Sequence, residues 1–516
     1  MKLKKIIEGL DIIKLVNFND ADISQLVDNA RTAVQGCLFI ARRGMKVDSH
    51  NFIQEAINKG AVAIIHTAIL EKYHDSVIYI QIALPENYND VLVKICRNFY
   101  VKPDDKLKII GITGTNGKTT TSYLIKSILE TAGEKCLLVG TINARIGRKQ
   151  ISTDNTTPGP ITLYALYSEA VEKGIKYAVM EISSHAIVQR RLDISKIDIA
   201  VFTNLTQDHL DYHLTMEEYC YAKMGLFENM NPDGIAIVNA DDLYSKEILS
   251  ACSGKKILTY NKVSSIKSGI SGISFEIIKQ TLNANSFIIK DTSKKNITEE
   301  YVIKSALIGN HNTYNVLAAY CACSAAGIDK KIIVNGIQKV AKVPGRLEKV
   351  ANRSQLHIFV DYAHTPDALD NVLNCLGKLR NSNRIITVFG CGGDRDKGKR
   401  PKMGNIAVTK SDAVIITSDN PRSEKPIDII KNIVDGCRDF DNFDIEPDRK
   451  KAIEKAITKA EAGDIILIAG KGHETYQIIG DEIIDFDDRL IVKEYLKKRV
   501  GKGLGRRAKS EKEMTK

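Results

Sequence analysis

Lys108-Ile109-Ile110-Gly111-Ile112-Thr113-Gly114-Thr115-Asn116-Gly117-Lys118-Thr119-Thr120-Thr121 passes from an apolar run into glycines and then into a lysine and threonines. That order predicts a strand, a phosphate loop and the start of a helix. Glycines let backbone N–H groups converge on phosphate oxygens, and a helix N-terminus favours an anion. Lys118 adds a point charge, and the Thr119 hydroxyl is placed to reach Mg²⁺. The usual P-loop carries a glycine five residues before the glycine of Gly-Lys. Ile112 stands there in this chain, so the loop is the shorter Gly-x-x-Gly-Lys-Thr form. The competing reading is a glycine turn that only joins a strand to a helix.

A chain of 516 residues exceeds a single hydrophobic core, and at roughly 150 residues per domain it suggests about three. Hydrophobic residues make up 43% and charged residues 27%, with no apolar run near the ~18 residues of a membrane span. Glu8 and Asp11 interrupt the N-terminal segment where an export signal needs a continuous apolar core. Ten cysteines occur without Cys-x-x-Cys pairs, the pattern of reduced thiols in a cytoplasmic protein. The formal charge of +11 invites a nucleic-acid reading. Part of that excess lies in the tail from residue 497 onward, expected to be polar and unstructured. No aromatic-basic RNA motif or zinc-finger spacing accompanies it, so nucleic acid is the weaker reading.

Residues 1–100 alternate short apolar runs (37–41, 61–65, 77–80) with helical stretches such as 51–58, the pattern of a small α/β domain. Pro103 and its charged neighbours break both periodicities. After the phosphate loop a helix over 122–132, a strand over 135–139, a helix over 163–173 and a strand over 177–182 predict a parallel sheet. Further strands are predicted at 199–203 and 235–238. Around Lys342-Val343-Pro344-Gly345-Arg346 the pattern breaks again, and a third series opens with strands at 357–361, 385–389, 413–417 and 465–469. The expected fold class is α/β with three domains, a small N-terminal one (1–103), a central P-loop-type one with a parallel sheet (104–343) and a Rossmann-like C-terminal one (344–500), followed by a basic tail (501–516).

Polar clusters follow the predicted strands, at the sheet edge where open α/β proteins bind ligands. Glu181-Ile182-Ser183-Ser184-His185 ends one strand with a carboxylate suited to Mg²⁺, or with a helix cap. Asp208-His209-Leu210-Asp211-Tyr212-His213 follows another, and His209 is a candidate metal ligand or a structural histidine. Lys223 lies on an amphipathic helix, where the plain reading is a snorkelling surface lysine. Asn310-His311-Asn312 opens a helix whose asparagines cap it or read an adenine edge. In the third series, Asp361-Tyr362-Ala363-His364, Gly392-Gly393-Asp394-Arg395, Asp419-Asn420-Pro421-Arg422 and Gly470-Lys471-Gly472-His473-Glu474 set glycines beside arginines and a glutamate. That mixture suits an amino acid: a guanidinium grips a carboxylate by two hydrogen bonds, and Glu474 holds an ammonium.

These motifs together, with Pro344-Gly345-Arg346-Leu347-Glu348, resemble the Mur ligase family over residues 25–495, and within it the branch that adds the third residue of the peptidoglycan stem peptide. The resemblance implies an ATP-dependent amide ligase that joins UDP-N-acetylmuramoyl-L-alanyl-D-glutamate to an amino acid through an acyl phosphate. It implies that Gly114, Thr115, Asn116, Gly117, Lys118, Thr119, Thr120, Asn312, Arg346 and Asp361 contact ATP. Thr119, Glu181, His209 and Lys223 would serve Mg²⁺, with Lys223 carboxylated by CO₂ because a free ammonium repels the cation. Lys118, Lys223, His209 and Glu181 form the implied catalytic set.

The resemblance further assigns Thr156, Thr157, Ser183, Gln189 and Arg191 to the UDP substrate. Arg395, Asp419, Asn420, Arg422, Gly470 and Glu474 fall to meso-diaminopimelate, with Arg422 meeting its second carboxylate; lysine-adding relatives lack that arginine. One departure is Ala30 in Asn29-Ala30-Arg31, where the family carries a serine, so no uridine contact is carried to it. The expectation is a monomer that binds no nucleic acid and does not enter a membrane. The alternatives are a folylpolyglutamate-synthase-like ligase, a lysine-adding relative, or an ATP-binding module without ligase activity.

Overall fold

In the computed structural model, which describes residues 1–44, 47–263, 272–293 and 297–497, the phosphate loop leaves the interior of an eleven-stranded sheet. The tail expected over 501–516 lies outside the described residues. The strand Lys108–Thr113 pairs in parallel with Tyr177–Glu181 on one side and Ile197–Phe202 on the other. Its residues are buried apart from Lys108 at its start, as a strand covered on both faces by helices requires. Gly111 makes that packing possible, since a Cβ there would lie 2.5 Å from Ile182 Cδ1. The helix Lys118–Thr131 starts at the lysine itself, four residues before the expected start, and buries Leu124, Ile125, Ile128 and Leu129 against the sheet.

The parallel order predicted for this region holds from Gly272–Gln280 through Lys256–Lys262 and Ile235–Asn239 to Cys136–Val139. Both edges differ from the expectation of a parallel sheet. Ala144–Ile146 and Lys149–Ile151 add an antiparallel hairpin at one edge, and Asn285–Asp291 and Glu299–Ser305 add antiparallel strands at the other. Asn285–Asp291 alternates buried and half-buried residues, the period of a sheet covered on one face only. No helix separates these edge strands, so a reading keyed to strand–helix alternation passes over them.

The first sheet has five strands, with Ile12–Val16 antiparallel to Ile78–Ile82 and the rest parallel. Behind it, the helix Tyr88–Phe99 buries Leu92, Val93, Ile95 and Cys96. From the end of that helix the Arg97 guanidinium reaches Asp193 at 2.6 Å, Asp105 at 2.9 Å and Asp104 at 3.1 Å. Tyr164 donates to Asp104 at 3.0 Å. One cation therefore fastens the first sheet's helix to the central layer.

The third sheet has six strands and contains His357–Asp361, Ile385–Phe389, Ala413–Ile416 and Ile465–Ala469, where they were expected. Glu348–Lys349 is an antiparallel edge and Phe443–Ile445 the far one. All ten cysteines are buried free thiols.

Arg449 and Asp488 form a fully buried pair at 2.8 Å, both 0% exposed. Arg449 also donates to Ala469 O at 3.0 Å and Ser418 O at 3.3 Å, so it gathers the ends of two strands. Removing one partner of such a pair leaves an uncompensated buried charge. Asp488→Ala is expected to lower stability by about 3–5 kcal/mol, read as a fall in the urea midpoint.

Candidate functional site

Gly114 and Gly117 carry φ of +141° and +88°. A Cβ on Gly114 would sit 1.9 Å from Thr203 Oγ1, and one on Gly117 would sit 2.3 Å from Asn315 Oδ1. Both positions therefore require glycine for conformation and for space. The loop is braced from the next strand's end: Thr203 donates to Asn116 O at 2.6 Å, Asn116 N donates to Asn204 Oδ1 at 2.9 Å, and Thr115 N donates to Asn204 O at 2.8 Å. Lys118 Nζ curls over its own loop and donates to Gly114 O and Thr115 O at 2.7 and 2.9 Å. Burial lowers its pKa.

Glu181, 1% exposed, stands beside the loop. Its Oε2 accepts from Thr119 Oγ1 at 2.9 Å and Thr141 Oγ1 at 2.8 Å, and its Oε1 accepts from Thr141 N at 3.1 Å. Gly140 permits this approach, since a Cβ there would meet Glu181 Oε1 at 2.1 Å. Thr141 is absent from the sequence-derived set, although its place just after the strand Cys136–Val139 is the signal that could have found it.

His209, at φ +54°, lies in a ring cluster with His185 (centroids 5.0 Å apart) and Tyr219 (6.1 Å), its Nε2 3.5 Å from Asp208 Oδ2. Among the described residues no three His, Cys, Asp or Glu side chains gather closely enough to hold a metal ion. The structure thus pairs Thr119 with Glu181 and leaves His209 in the aromatic cluster. That donor set still fits Mg²⁺, which takes one or two carboxylates plus substrate phosphates and retains waters, rather than a full protein cage. Lys223 is no surface lysine: it is 1% exposed, its ammonium 4.3 Å from the Tyr219 ring centroid. Burial, and then Lys118, pulls its pKa well down.

A cavity of about 270 Å³ opens beside the loop, lined by Asn116, Gly117, Thr119, Thr120, His311, Asn312, Arg346 and Asp361 among others. Seven of the ten residues expected to contact ATP therefore line it; Gly114, Thr115 and Lys118 do not. Arg346 donates to Thr119 Oγ1 at 3.1 Å across the seam between the second and third sheets. Asp361 accepts from Leu347 N at 2.6 Å and Ala363 N at 2.8 Å. Asn312 is held by Asn315 at 3.1 Å. Asp367, unremarked in the sequence, accepts from Asn116 Nδ2 at 3.0 Å and Thr206 Oγ1 at 2.9 Å.

The residues expected for the UDP substrate form one chain. Thr156 meets Thr141 at 3.1 Å, Thr157 donates to Glu181 O at 2.8 Å, and Ser183 N donates to Thr157 at 3.1 Å. Arg191 donates to Thr157 O at 2.6 Å and to Gln189 Oε1 at 2.8 Å. Ala30 is buried, beside the Asn29 side chain that caps its turn.

In the third sheet Asn420 Nδ2 donates to Glu474 Oε2 at 2.9 Å, and Arg422 donates to Gly393 O at 2.8 Å. Gly470, at φ +113°, leaves room for Asp419, whose Oδ2 would be 2.5 Å from a Cβ there. Arg395 is exposed and bonded only locally, to Asp394 O at 3.3 Å. Burial raises the pKa of Glu474. The sequence reading quoted Lys471 inside its motif without assigning it a role, yet it is 0% exposed and bonds both Asn420 and Glu474. Arg400, also fully buried, grips Glu424 at 2.8 and 2.9 Å and holds Gly392 O at 3.3 Å. That pair fixes the loop carrying Arg395 and drives the Glu424 pKa down to about 2.

A phosphate loop with a buried carboxylate, joined across a seam to a sheet whose strand ends carry polar clusters, fits an ATP-using α/β enzyme. The comparisons agree. The Mur ligase middle domain profile matches residues 112–323, and the profile described as Mur ligase, glutamate ligase domain matches 345–472. The chain is 43% identical to the UDP-N-acetylmuramoyl-L-alanyl-D-glutamate--2,6-diaminopimelate ligase of Clostridium perfringens, covering 96% of this chain and 99% of that one. It is 40% identical to the Listeria innocua protein of the same name, covering 97% and 100%. A solved structure of a ligase with that name superposes with a TM-score of 0.66 at 30% identity, covering 97% and 99%. MurF from Acinetobacter baumannii, at 18% identity and TM-score 0.67 over 96% and 98% of the two chains, shares the fold. This chain belongs to the Mur ligase family.

Gly117→Ala forces a Cβ into a left-handed backbone and against Asn315. ATP affinity is expected to fall about tenfold or more, measured by titration with a fluorescent ATP analogue.

Proposed function

We propose that this chain joins meso-2,6-diaminopimelate to UDP-N-acetylmuramoyl-L-alanyl-D-glutamate, using ATP, in peptidoglycan precursor synthesis. The observation that carries this reading is the meeting of Asp419, Asn420, Arg422, Gly470 and Glu474 at the strand ends of the third sheet, in a chain so similar to ligases of that name. Residues 1–103 and the chain from Thr156 to Arg191 would receive the UDP substrate, 104–343 ATP, and 344–500 the amino acid. The protein would act as a cytoplasmic monomer; among the described residues no helix is long and apolar enough to cross a membrane.

In the first step an oxygen of the D-glutamate γ-carboxylate attacks the γ-phosphorus of ATP, ADP leaves, and an acyl phosphate forms. Lys118 releases its loop carbonyls and neutralises the transferring phosphoryl group, while the loop N–H groups hold the phosphates in line. Thr119 and Glu181 would hold Mg²⁺, which when bound offsets phosphate charge. The uncharged amino group of diaminopimelate then attacks the acyl carbon. The tetrahedral intermediate loses a proton and expels phosphate, leaving the amide.

Lys223 would be present as a carbamate. Its depressed pKa supplies a neutral amine that adds to CO₂, forming an N–C bond and releasing a proton, and the buried neutral group becomes an anion beside Lys118. His209 would complete this group of polar side chains.

Phosphate release by the purified protein is expected to require both the UDP-dipeptide and diaminopimelate. L-Lysine leaves the second-carboxylate contact of Arg422 unmade, so its kcat/KM should be lower by roughly 10⁴-fold. Equal use of lysine indicates a lysine-adding enzyme, release with folate and glutamate a folylpolyglutamate-type ligase, and ATP binding without release a non-catalytic module. Lys223→Ala should lose most activity, and intact mass in bicarbonate should show one added CO₂ in the wild type only.

A further inference from the structure

The Asn420 amide has a single orientation that satisfies its neighbours. Its Oδ1 accepts from Lys471 Nζ at 3.0 Å and from Ile478 N at 3.1 Å, and its Nδ2 donates to Glu474 Oε2 at 2.9 Å. A flipped amide would set its N–H groups against two donors and its oxygen against a carboxylate. Lys471 Nζ donates to the same Glu474 Oε2 at 3.0 Å, and the lysine is 0% exposed. The three side chains therefore fix one another.

That geometry sets the polarity offered to a ligand. Both lone pairs of Asn420 Oδ1 are occupied, so the amide presents its remaining Nδ2–H, a donor. Glu474 Oε2 already accepts two hydrogen bonds, so Oε1 is its acceptor for a ligand. Lys471 faces two carboxylates, Glu474 and Asp419, while Arg422 nearby supplies the cation that a ligand carboxylate would meet.

We propose that Lys471 is a positioning residue for the amino-acid substrate, holding Asn420 as a donor to a carboxylate and Glu474 as an acceptor for an ammonium. The inference rests on the reading of these loops as the diaminopimelate site. Lys471 acts through its two neighbours and touches no reacting atom. Its charge also draws the Glu474 pKa down against burial and Asp419, the two influences that raise it; Tyr362, Tyr476, Arg422 and Arg449 are further ionisable groups around it.

The test uses full-length K471M and K471Q, with diaminopimelate varied at saturating ATP and UDP-dipeptide. In K471M the KM for diaminopimelate should rise about tenfold to a hundredfold, the loss of hydrogen bonds to charged groups, while the KM values for ATP and UDP-dipeptide stay unchanged. The acid limb of kcat/KM for diaminopimelate should move to higher pH, because Glu474 without its cation protonates more readily. K471Q keeps a donor for Asn420 Oδ1, so it should recover part of the KM but not the acid limb; it carries the test if the thermal transition of K471M is lost. A wild-type KM and pH profile in K471M overturns the proposal. So does a parallel change in all three KM values, which marks a merely structural lysine. A wild-type enzyme that releases phosphate with a different amino acid overturns the functional reading, and the same measurement with that amino acid then decides the role of Lys471.

Discussion

The Glu181 carboxylate is the point on which the site depends. Buried charge is costly unless its oxygens are matched, and here Thr119 and Thr141 supply the matching donors. The consequences spread outward. Gly140 has to lack a Cβ for Thr141 to come close, and Thr119 has to begin a helix for its hydroxyl to face the carboxylate. Arg346 then reaches the same hydroxyl from the third sheet, so one carboxylate organises the phosphate loop, a neighbouring strand end and the seam.

The seam combines polar bonds with apolar contacts, since Leu282 and Ile308 of the central layer join the third sheet's buried core. Asp367 accepts from Asn116 and Thr206, and Arg346 donates to Thr119 Oγ1 at 3.1 Å. Hydrogen bonds of this kind contribute modestly once water competes for the same groups. The contrast is with Arg97, whose guanidinium binds three aspartates and fastens the first sheet's helix to the central layer. A site built from both sides of this seam, with Arg346 meeting Thr119, suits a reaction that has to exclude water during phosphoryl transfer.

Where sequence reasoning succeeded, the local chemistry was self-sufficient. The strands 357–361, 385–389 and 465–469 are predominantly apolar, as strands covered on both faces have to be, and they appear with those boundaries. The phosphate loop was legible because its glycines answer to backbone conformation. The edge strands near 285 and 299 were not, since half-exposed alternation with polar residues looks like a loop when no helix separates the strands. Lys223 shows the same limit: an amphipathic helix permits a snorkelling lysine, and only packing beneath Tyr219 makes it a buried amine. His209, a candidate metal ligand from its sequence, lies 5.0 Å from the His185 ring and 6.1 Å from that of Tyr219, neighbours that no sequence pattern reveals.

The amino-acid sequence by itself determined the phosphate loop, the α/β class, the strand ends that bear polar residues, and the family. These follow from local rules of glycine conformation, apolar periodicity and motif order, which need no knowledge of what lies across space. Only the tertiary structure decided which of those polar residues meet. It brought Arg346 to Thr119 from 227 positions away, and it set Lys471 between Asn420 and Glu474. Burial and hydrogen-bond partners are properties of the packed chain, so the charge of Lys223, the orientation of the Asn420 amide and the role of Thr141 become readable only there.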